Sequence, residues 1–129
     1  VLCPRIPLYF DFVQDTLHKN GRLWAGRYSS LDSVYSYPDA LHLFTNEENS
    51  LIEGVQANLW SERFRNNEQL DFMIYPRVFA FAESAWTEKS NKDYMRFESC
   101  LPSLYRYLDE RDLYYYNVLD NKLTPEPEF

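Results

Sequence analysis

An α/β fold, present here only as a piece of a larger domain, is predicted by three features: two strand-like runs, a helical second half, and too few strands to stand alone. The strand-like runs cover residues 5–12 and 51–60, and helical periodicity starts at Asn67. Strands followed by helices suit βα units, whose parallel strands are buried under outer helices. Two strands alone would keep unpaired edges and leave one face without a partner layer. The expectation is therefore a portion of an α/β domain, and its open strand edges would allow the piece to form a homodimer.

Taken in order, Arg5-Ile-Pro-Leu-Tyr-Phe-Asp-Phe12 alternates loosely and is rich in aromatics, as strands are. Ile6, Leu8 and Phe10 share one face, and Pro7, Tyr9 and Asp11 the other. Pro7 cannot donate a ladder hydrogen bond, so it belongs near a strand start or edge. Residues 13–50 are irregular, punctuated by Asn20-Gly21, Gly26, Ser29-Ser30 and Tyr37-Pro38-Asp39. Leu31 to Tyr37 suits a short helix capped by Ser29 or Ser30. A loop of this length is uncommon unless it has a function.

The second strand, Leu51 to Trp60, carries Gly54, Gln56 and Asn58 on the face of Trp60 and Glu62. Polar residues on a buried strand face indicate a barrel interior or a site. Leu70 to Ile74 and Val78 to Trp86 read as two helices, with Pro76 in the first turn of the second. Ser90-Asn-Lys-Asp93 resembles a capping arrangement. Beyond it Tyr94, Phe97, Leu101, Leu104 and Leu108 recur at helical spacing as one buried stripe, which Pro102 should bend or restart. Residues 1–116 thus read as the domain portion and 117–129, acidic and Pro-rich, as a frayed tail.

Composition excludes several functions. A net charge of −7 disfavours phosphate-backbone binding, which needs clustered Lys and Arg. No apolar run approaches a membrane span of about 20 residues, so neither nucleic acid nor membrane is an expected partner. With 11 Tyr, 9 Phe and 3 Trp, the chain suits neutral polar ligands such as carbohydrate. Cys3 and Cys100 read as free, partly buried thiols, with a bridge between them as the minor alternative. Val1-Leu-Cys-Pro4 has no signal-peptide character and reads as mid-protein sequence, so localisation stays unknown.

Tyr9-Phe10-Asp11 and Trp60-Ser61-Glu62 each place an aromatic and a carboxylate two residues apart at the end of a strand-like run. A side-chain period of two projects each pair from one face. A ring packs on the C–H face of a sugar while a carboxylate accepts from its hydroxyls, so two such pairs on neighbouring strands would form half of a saccharide pocket.

With these motifs the chain resembles the C-terminal part of the catalytic (β/α)8 TIM barrel of glycoside hydrolase family 20, the β-N-acetylhexosaminidases. The resemblance rests on Tyr9-Phe10-Asp11, Trp24-Ala-Gly26, Ala57-Asn-Leu-Trp-Ser-Glu62, Tyr75-Pro-Arg77 and Ala82-Glu-Ser-Ala-Trp86, in register over roughly residues 5–115. It implies about the last two strands and their helices, not a complete barrel, with residues 5–12 as the seventh strand and 52–60 as the eighth. It also implies a substrate-assisted retaining mechanism, in which the substrate's 2-acetamido oxygen attacks the anomeric carbon. Family 20 departs in this way from the two-carboxylate scheme.

The family's Asp-Glu pair, which orients the acetamido group and supplies the general acid, has no match here; the adjacent acidic pairs are Glu47-Glu48 and Asp109-Glu110. Carried over by position, Tyr9 donates to the acetamido oxygen, Asp11 and Glu62 accept from hydroxyls, Trp60 walls the pocket, and Trp24 lies on the aglycone side. The implied substrate is an N-acetylhexosamine-containing glycan, with no cofactor and no metal. The implied localisation is secreted, periplasmic or lysosomal, as is common in the family, but no such signal is present.

Simpler readings compete. A Trp at a strand end is most often a core anchor, Asp11 alone suits a turn or cap, and Glu62 could pair with Arg63 or Arg65 at little benefit. Arg77 and Glu83 read as a structural ion pair. His18 and His42 sit in polar loops without a second ligand at metal spacing, and Tyr114 to Tyr116 read as packing. The leading expectation is an inactive fragment of a hexosaminidase; the rival is a non-catalytic carbohydrate-binding or assembly module.

Overall fold

In the computed structural model, residues 1–37, 39 and 44–128 are described. His42 and Pro38 therefore lie outside the described residues. The helices are α1 (Leu31–Ser36), α2 (Asn46–Ser50), α3 (Asn67–Ile74), α4 (Arg77–Trp86) and α5 (Tyr94–Asp109).

The two expected strands are present as extended backbone joined by isolated parallel bridges, with no continuous ladder among the described residues. Leu2 pairs with Val55 and Tyr9 with Asn58. At the second bridge Phe10 N–H donates to the Asn58 carbonyl at 2.6 Å, and Asn58 N–H to the Leu8 carbonyl at 2.8 Å. The expected strand over 5–12 is corrected at its start: Arg5–Leu8 forms a single turn, with Ile6 at φ −111°, ψ 125°. Pro7 is the local cause, because it has no N–H to give a ladder and a fixed φ. The pairing resumes only beyond it: Leu8, Phe10 and Phe12 are buried, and of the intervening residues Tyr9 is half-buried and Asp11 buried.

The helices cover this extended layer. Leu8 and Phe10 join Val34 and Tyr35 of α1, Ala80 of α4, and Phe97, Leu101, Tyr105 and Leu108 of α5 in one core. The stripe predicted on α5 is the face that packs, with Tyr94 and Leu104 half-buried beside it. Asp93 caps α5 by accepting from Arg96 N–H at 3.1 Å. The helix continues through Pro102 as one element, where a bend or restart was expected. Pro76 is the N-cap of α4 and not a residue of its first turn. Ser30 is the α1 N-cap by position, while the Ser29 hydroxyl donates to the Pro7 carbonyl.

Three further expectations are corrected. The tail packs on the body: Glu126 accepts from Lys19 N–H at 2.8 Å and Asn20 N–H at 2.7 Å, and Gln69 Nε2 donates to the Glu128 carbonyl at 2.8 Å. The backbone N–H groups of residues 19 and 20 give the Glu126 carboxylate two donors. His18 is buried between Phe72 and Tyr116, with ring centroids at 5.0 and 4.4 Å, and is not in an open polar loop. Burial lowers its pKa, against the pull of Glu126 and Asp15.

Arg77 and Glu83 do not pair. Arg77 is fully buried and donates to the carbonyls of Phe12 at 2.8 Å, Ser29 at 3.1 Å, Phe10 at 2.6 Å and Met73 at 3.2 Å, while Glu83 faces Arg96 at 3.7 Å. Burial pulls the Arg77 pKa down and Asp11 pushes it back up. Cys3 and Cys100 are free thiols, so the bridge is excluded in this structure.

Candidate functional site

Three separate segments meet where the extended layer ends. The first carries Tyr9, Asp11 and Phe12 out of the bridge with Asn58. The second returns as Gly21-Arg22, which runs parallel to it: Arg22 N–H donates to the Asp11 carbonyl at 2.8 Å, and Val13 N–H to the Arg22 carbonyl at 3.1 Å. Gly21 is required for that approach. Its φ is +145°, and a Cβ there would stand 2.8 Å from Val13 Cγ1 and 2.9 Å from Met73 Cε. The third segment leaves Asn58 through Trp60 into the tight turn Ser61–Arg63, which carries Glu62.

These segments enclose a cleft of 280 Å³ lined by all five residues singled out from the sequence: Tyr9, Asp11, Trp24, Trp60 and Glu62. Tyr9 and Trp60 form a tilted pair with ring centroids 6.1 Å apart. Trp24 stands edge-on to Phe12 at 5.5 Å, presented by a turn in which Ala25 has φ +54° and Gly26 φ +70°. Trp24 is 46% exposed and Trp60 48%. Neither ring is a core anchor, so the packing explanation fails for both. Asp11, by contrast, is 1% exposed and forms the floor of the cleft. A larger groove of 610 Å³ beside Leu2, Pro4 and Tyr37 has no carboxylate among its described lining residues.

Sequence reasoning missed Arg22 and Arg5. Arg22 Nε lies 2.5 Å from Asp11 Oδ2, and its Nη2 bonds Glu62 Oε2. Glu62 thus pairs across the cleft with Arg22 instead of with Arg63 or Arg65. The guanidinium carbon of Arg22 sits 4.8 Å from the Trp24 ring centroid, and that of Arg5 sits 5.3 Å away. The one signal in the sequence was the closeness of Arg22 to Gly21 and Trp24; nothing linked it to residues 11 and 62. Behind the floor, Arg77 binds the carbonyls of Phe10 and Phe12, so the backbone on both sides of Asp11 is held from within.

The cleft can stack a ring between aromatic walls and accept hydrogen bonds from hydroxyls at its floor and rim. Among the described residues no cluster of three or more His, Cys, Asp or Glu could hold a metal ion. No described helix is long and apolar enough to cross a membrane.

Fold and cleft together define a portion of an α/β domain whose aromatic- and carboxylate-lined cleft lies at the ends of parallel extended segments, where α/β folds commonly carry their sites. Residues 1–89 match the catalytic-domain model of glycosyl hydrolase family 20, and the chain belongs to that family. It is 33% identical over 104 residues to a beta-hexosaminidase of Porphyromonas gingivalis, covering 81% of this chain and 13% of that protein. It is 30% identical over 97 residues to a beta-N-acetylhexosaminidase of Cellulomonas fimi, covering 75% of this chain and 19% of the relative.

Among solved structures, the GH20 beta-N-acetylhexosaminidase of Streptomyces coelicolor superposes with a TM-score of 0.80 at 28% identity, over 91% of this chain and 23% of that one. A GH20 exo beta-N-acetylglucosaminidase of Vibrio harveyi, solved with N-acetylglucosamine, gives 0.75 at 29% identity, over 89% and 18%. The chain therefore spans less than a quarter of each of these proteins and corresponds to a portion of the family's TIM-barrel fold, without a complete barrel.

Proposed function

We propose that this chain supplies the substrate-holding half of a β-N-acetylhexosaminidase active site, one that removes terminal N-acetylglucosamine or N-acetylgalactosamine from glycans by substrate-assisted retaining catalysis. The observation that carries the reading is the convergence of Tyr9, Asp11, Trp24, Trp60 and Glu62, from three segments, on one cleft.

In this reading the sugar ring packs against Trp60, and Trp24 borders the leaving group. The acetamido oxygen accepts from the Tyr9 hydroxyl. As that oxygen attacks the anomeric carbon, the acetamido group becomes an oxazolinium. Tyr9 holds the oxygen in line for attack, and the Trp60 wall excludes water from the reacting face. Asp11 and Glu62 accept from sugar hydroxyls, which fixes the ring relative to Tyr9. The proton for the departing oxygen comes from a carboxylic acid that this chain's matched motifs do not include. The 129-residue chain alone is therefore inactive.

A chromogenic N-acetyl-β-glucosaminide tests both parts. The purified chain should give no turnover; turnover abolished by Tyr9→Phe or Glu62→Gln would refute the inactivity. In an enzyme that joins this chain to the preceding catalytic-domain residues of its family, Tyr9→Phe should lower kcat by about 10²- to 10³-fold, as loss of an oxyanion-type donor does. An unchanged kcat would remove Tyr9 from the mechanism.

A further inference from the structure

We infer that Arg22 is a positioning residue of this cleft, which locks the buried carboxylate of Asp11 to the exposed carboxylate of Glu62 and so sets where the two accept sugar hydroxyls. The inference rests on the reading that Asp11 and Glu62 bind hydroxyls. The side chains form a graded series: Asp11 is 2% exposed, Arg22 16% and Glu62 68%. Asp11 and Glu62 are 51 positions apart in sequence, and a single guanidinium joins them.

Two carboxylates lining one small cleft repel each other and would splay apart without a cation between them. A guanidinium suits this place because its planar fork meets two carboxylates at once, whereas an ammonium is a point charge without that geometry. Trp24 backs the fork at 4.8 Å, a distance suited to a cation–π contact. The main chain of Arg22 is bonded on both sides to the segment that carries Asp11.

The arrangement leaves acceptors for a ligand. The Asp11–Arg22 contact is an ion pair without hydrogen-bond alignment, and Asp11 Oδ1 has no donor among the described residues. A buried carboxylate oxygen without a donor is costly, and a hydroxyl entering the cleft would relieve it. With one oxygen of each carboxylate turned to Arg22, Glu62 keeps its other oxygen at the exposed rim, and Asp11 Oδ1 stays buried without a donor beneath it. Arg22 thereby fixes the direction from which each hydroxyl must approach.

The test has two arms. In the enzyme joined as above, Arg22→Gln should lower kcat/KM by roughly 10- to 100-fold, the loss expected for hydrogen bonds to charged groups, and mostly through KM. Arg22→Lys should recover only part of it. The effect of Arg22→Gln should shrink in a Glu62→Gln background, since the two act as one unit. In the ¹⁵N-labelled 129-residue chain, the Arg22 Nε–H signal should be ring-current shifted by Trp24 and slow to exchange, and Glu62→Gln should weaken both properties.

If Arg22→Gln does not fold, Arg22→Lys and the exposed Glu62→Gln carry the comparison. Unchanged kinetics in Arg22→Gln, full recovery by lysine, strict additivity with Glu62→Gln, or an Nε–H that exchanges like a free surface arginine would each overturn the inference. An inactive wild-type enzyme would instead refute the proposed function, and the spectroscopic arm would still decide whether Arg22 is held.

Discussion

Replacing Arg77 with methionine, which keeps the length of the side chain and removes its donors, should be among the most damaging single changes to this fold. The guanidinium donates to four backbone carbonyls: Phe10 and Phe12 on either side of Asp11, Ser29 in the loop before α1, and Met73 in α3. Among the described residues no other donor reaches the carbonyls of Phe10, Phe12 or Ser29. Each acceptor left buried without a donor costs about 1–3 kcal/mol, so three give roughly 3–9 kcal/mol as an upper range. Removing a buried charge returns part of this, because the guanidinium no longer has to be desolvated; breaking a buried charged network by one partner typically costs about 3–5 kcal/mol. A loss near about 4 kcal/mol is a large share of the 5–15 kcal/mol that holds a typical domain together.

Urea unfolding of the 129-residue chain followed by far-UV circular dichroism measures it directly. At a slope of about 2 kcal/mol per molar urea, the midpoint should fall by roughly 2 M. Arg77→Lys should lie between, since three donors on a flexible stem cannot span four carbonyls. A midpoint shift equivalent to less than about 1 kcal/mol in Arg77→Met would refute the claim that these carbonyls depend on Arg77.

Gly21→Ala should destabilise the chain by about 1–3 kcal/mol through backbone strain, with added overlap against Val13 and Met73; an unchanged melting temperature would contradict the close approach that seats Arg22. For His18, burial depresses the folded pKa below its ordinary value, so the unfolded chain takes up the proton first. Its contribution is complete above the unfolded pKa of about 6.5 and declines as pH falls toward the folded value, by at most about 1.4 kcal/mol per pH unit. Stability measured between pH 7.5 and 5 should drop less in His18→Gln than in wild type, and parallel slopes would sink the idea. Glu126→Ala should release the tail at a cost of about 1–2 kcal/mol, read as faster amide exchange at Lys19 and Asn20; unchanged exchange would mean that the tail does not protect them.

Much of the site was readable one segment at a time. Tyr9 with Asp11, and Trp60 with Glu62, could be paired because an extended chain repeats every two residues, and that rule acts within a few bonds. The same locality explains the α5 stripe, and the Ser90–Asp93 capping arrangement marked where that helix begins, although Asp93 alone is the residue that caps it. The start of the first strand was misread because alternation in Arg5-Ile-Pro-Leu does not register how far one Pro displaces the pairing. The Arg77–Glu83 pair was misread for a different reason. An ion pair at the junction of helix and barrel was expected, but six residues apart on one helix the two side chains do not face each other, and Arg77 points into the protein toward carbonyls whose positions depend on the whole fold.

The sequence alone therefore determined the class of elements, the helix that packs along Phe97, Leu101 and Leu108, and five of the side chains that line the cleft, since local periodicity and short motifs, with the family resemblance they carry, encode each of them. Only the tertiary structure decided that Asp11 forms a floor and Glu62 a rim, that Arg22 joins them, that His18 is buried, and that the acidic tail docks through Glu126. Each of these is a contact between groups far apart in the chain, and its partner is chosen by which carbonyls, amides and carboxylates the packed helices leave facing one another.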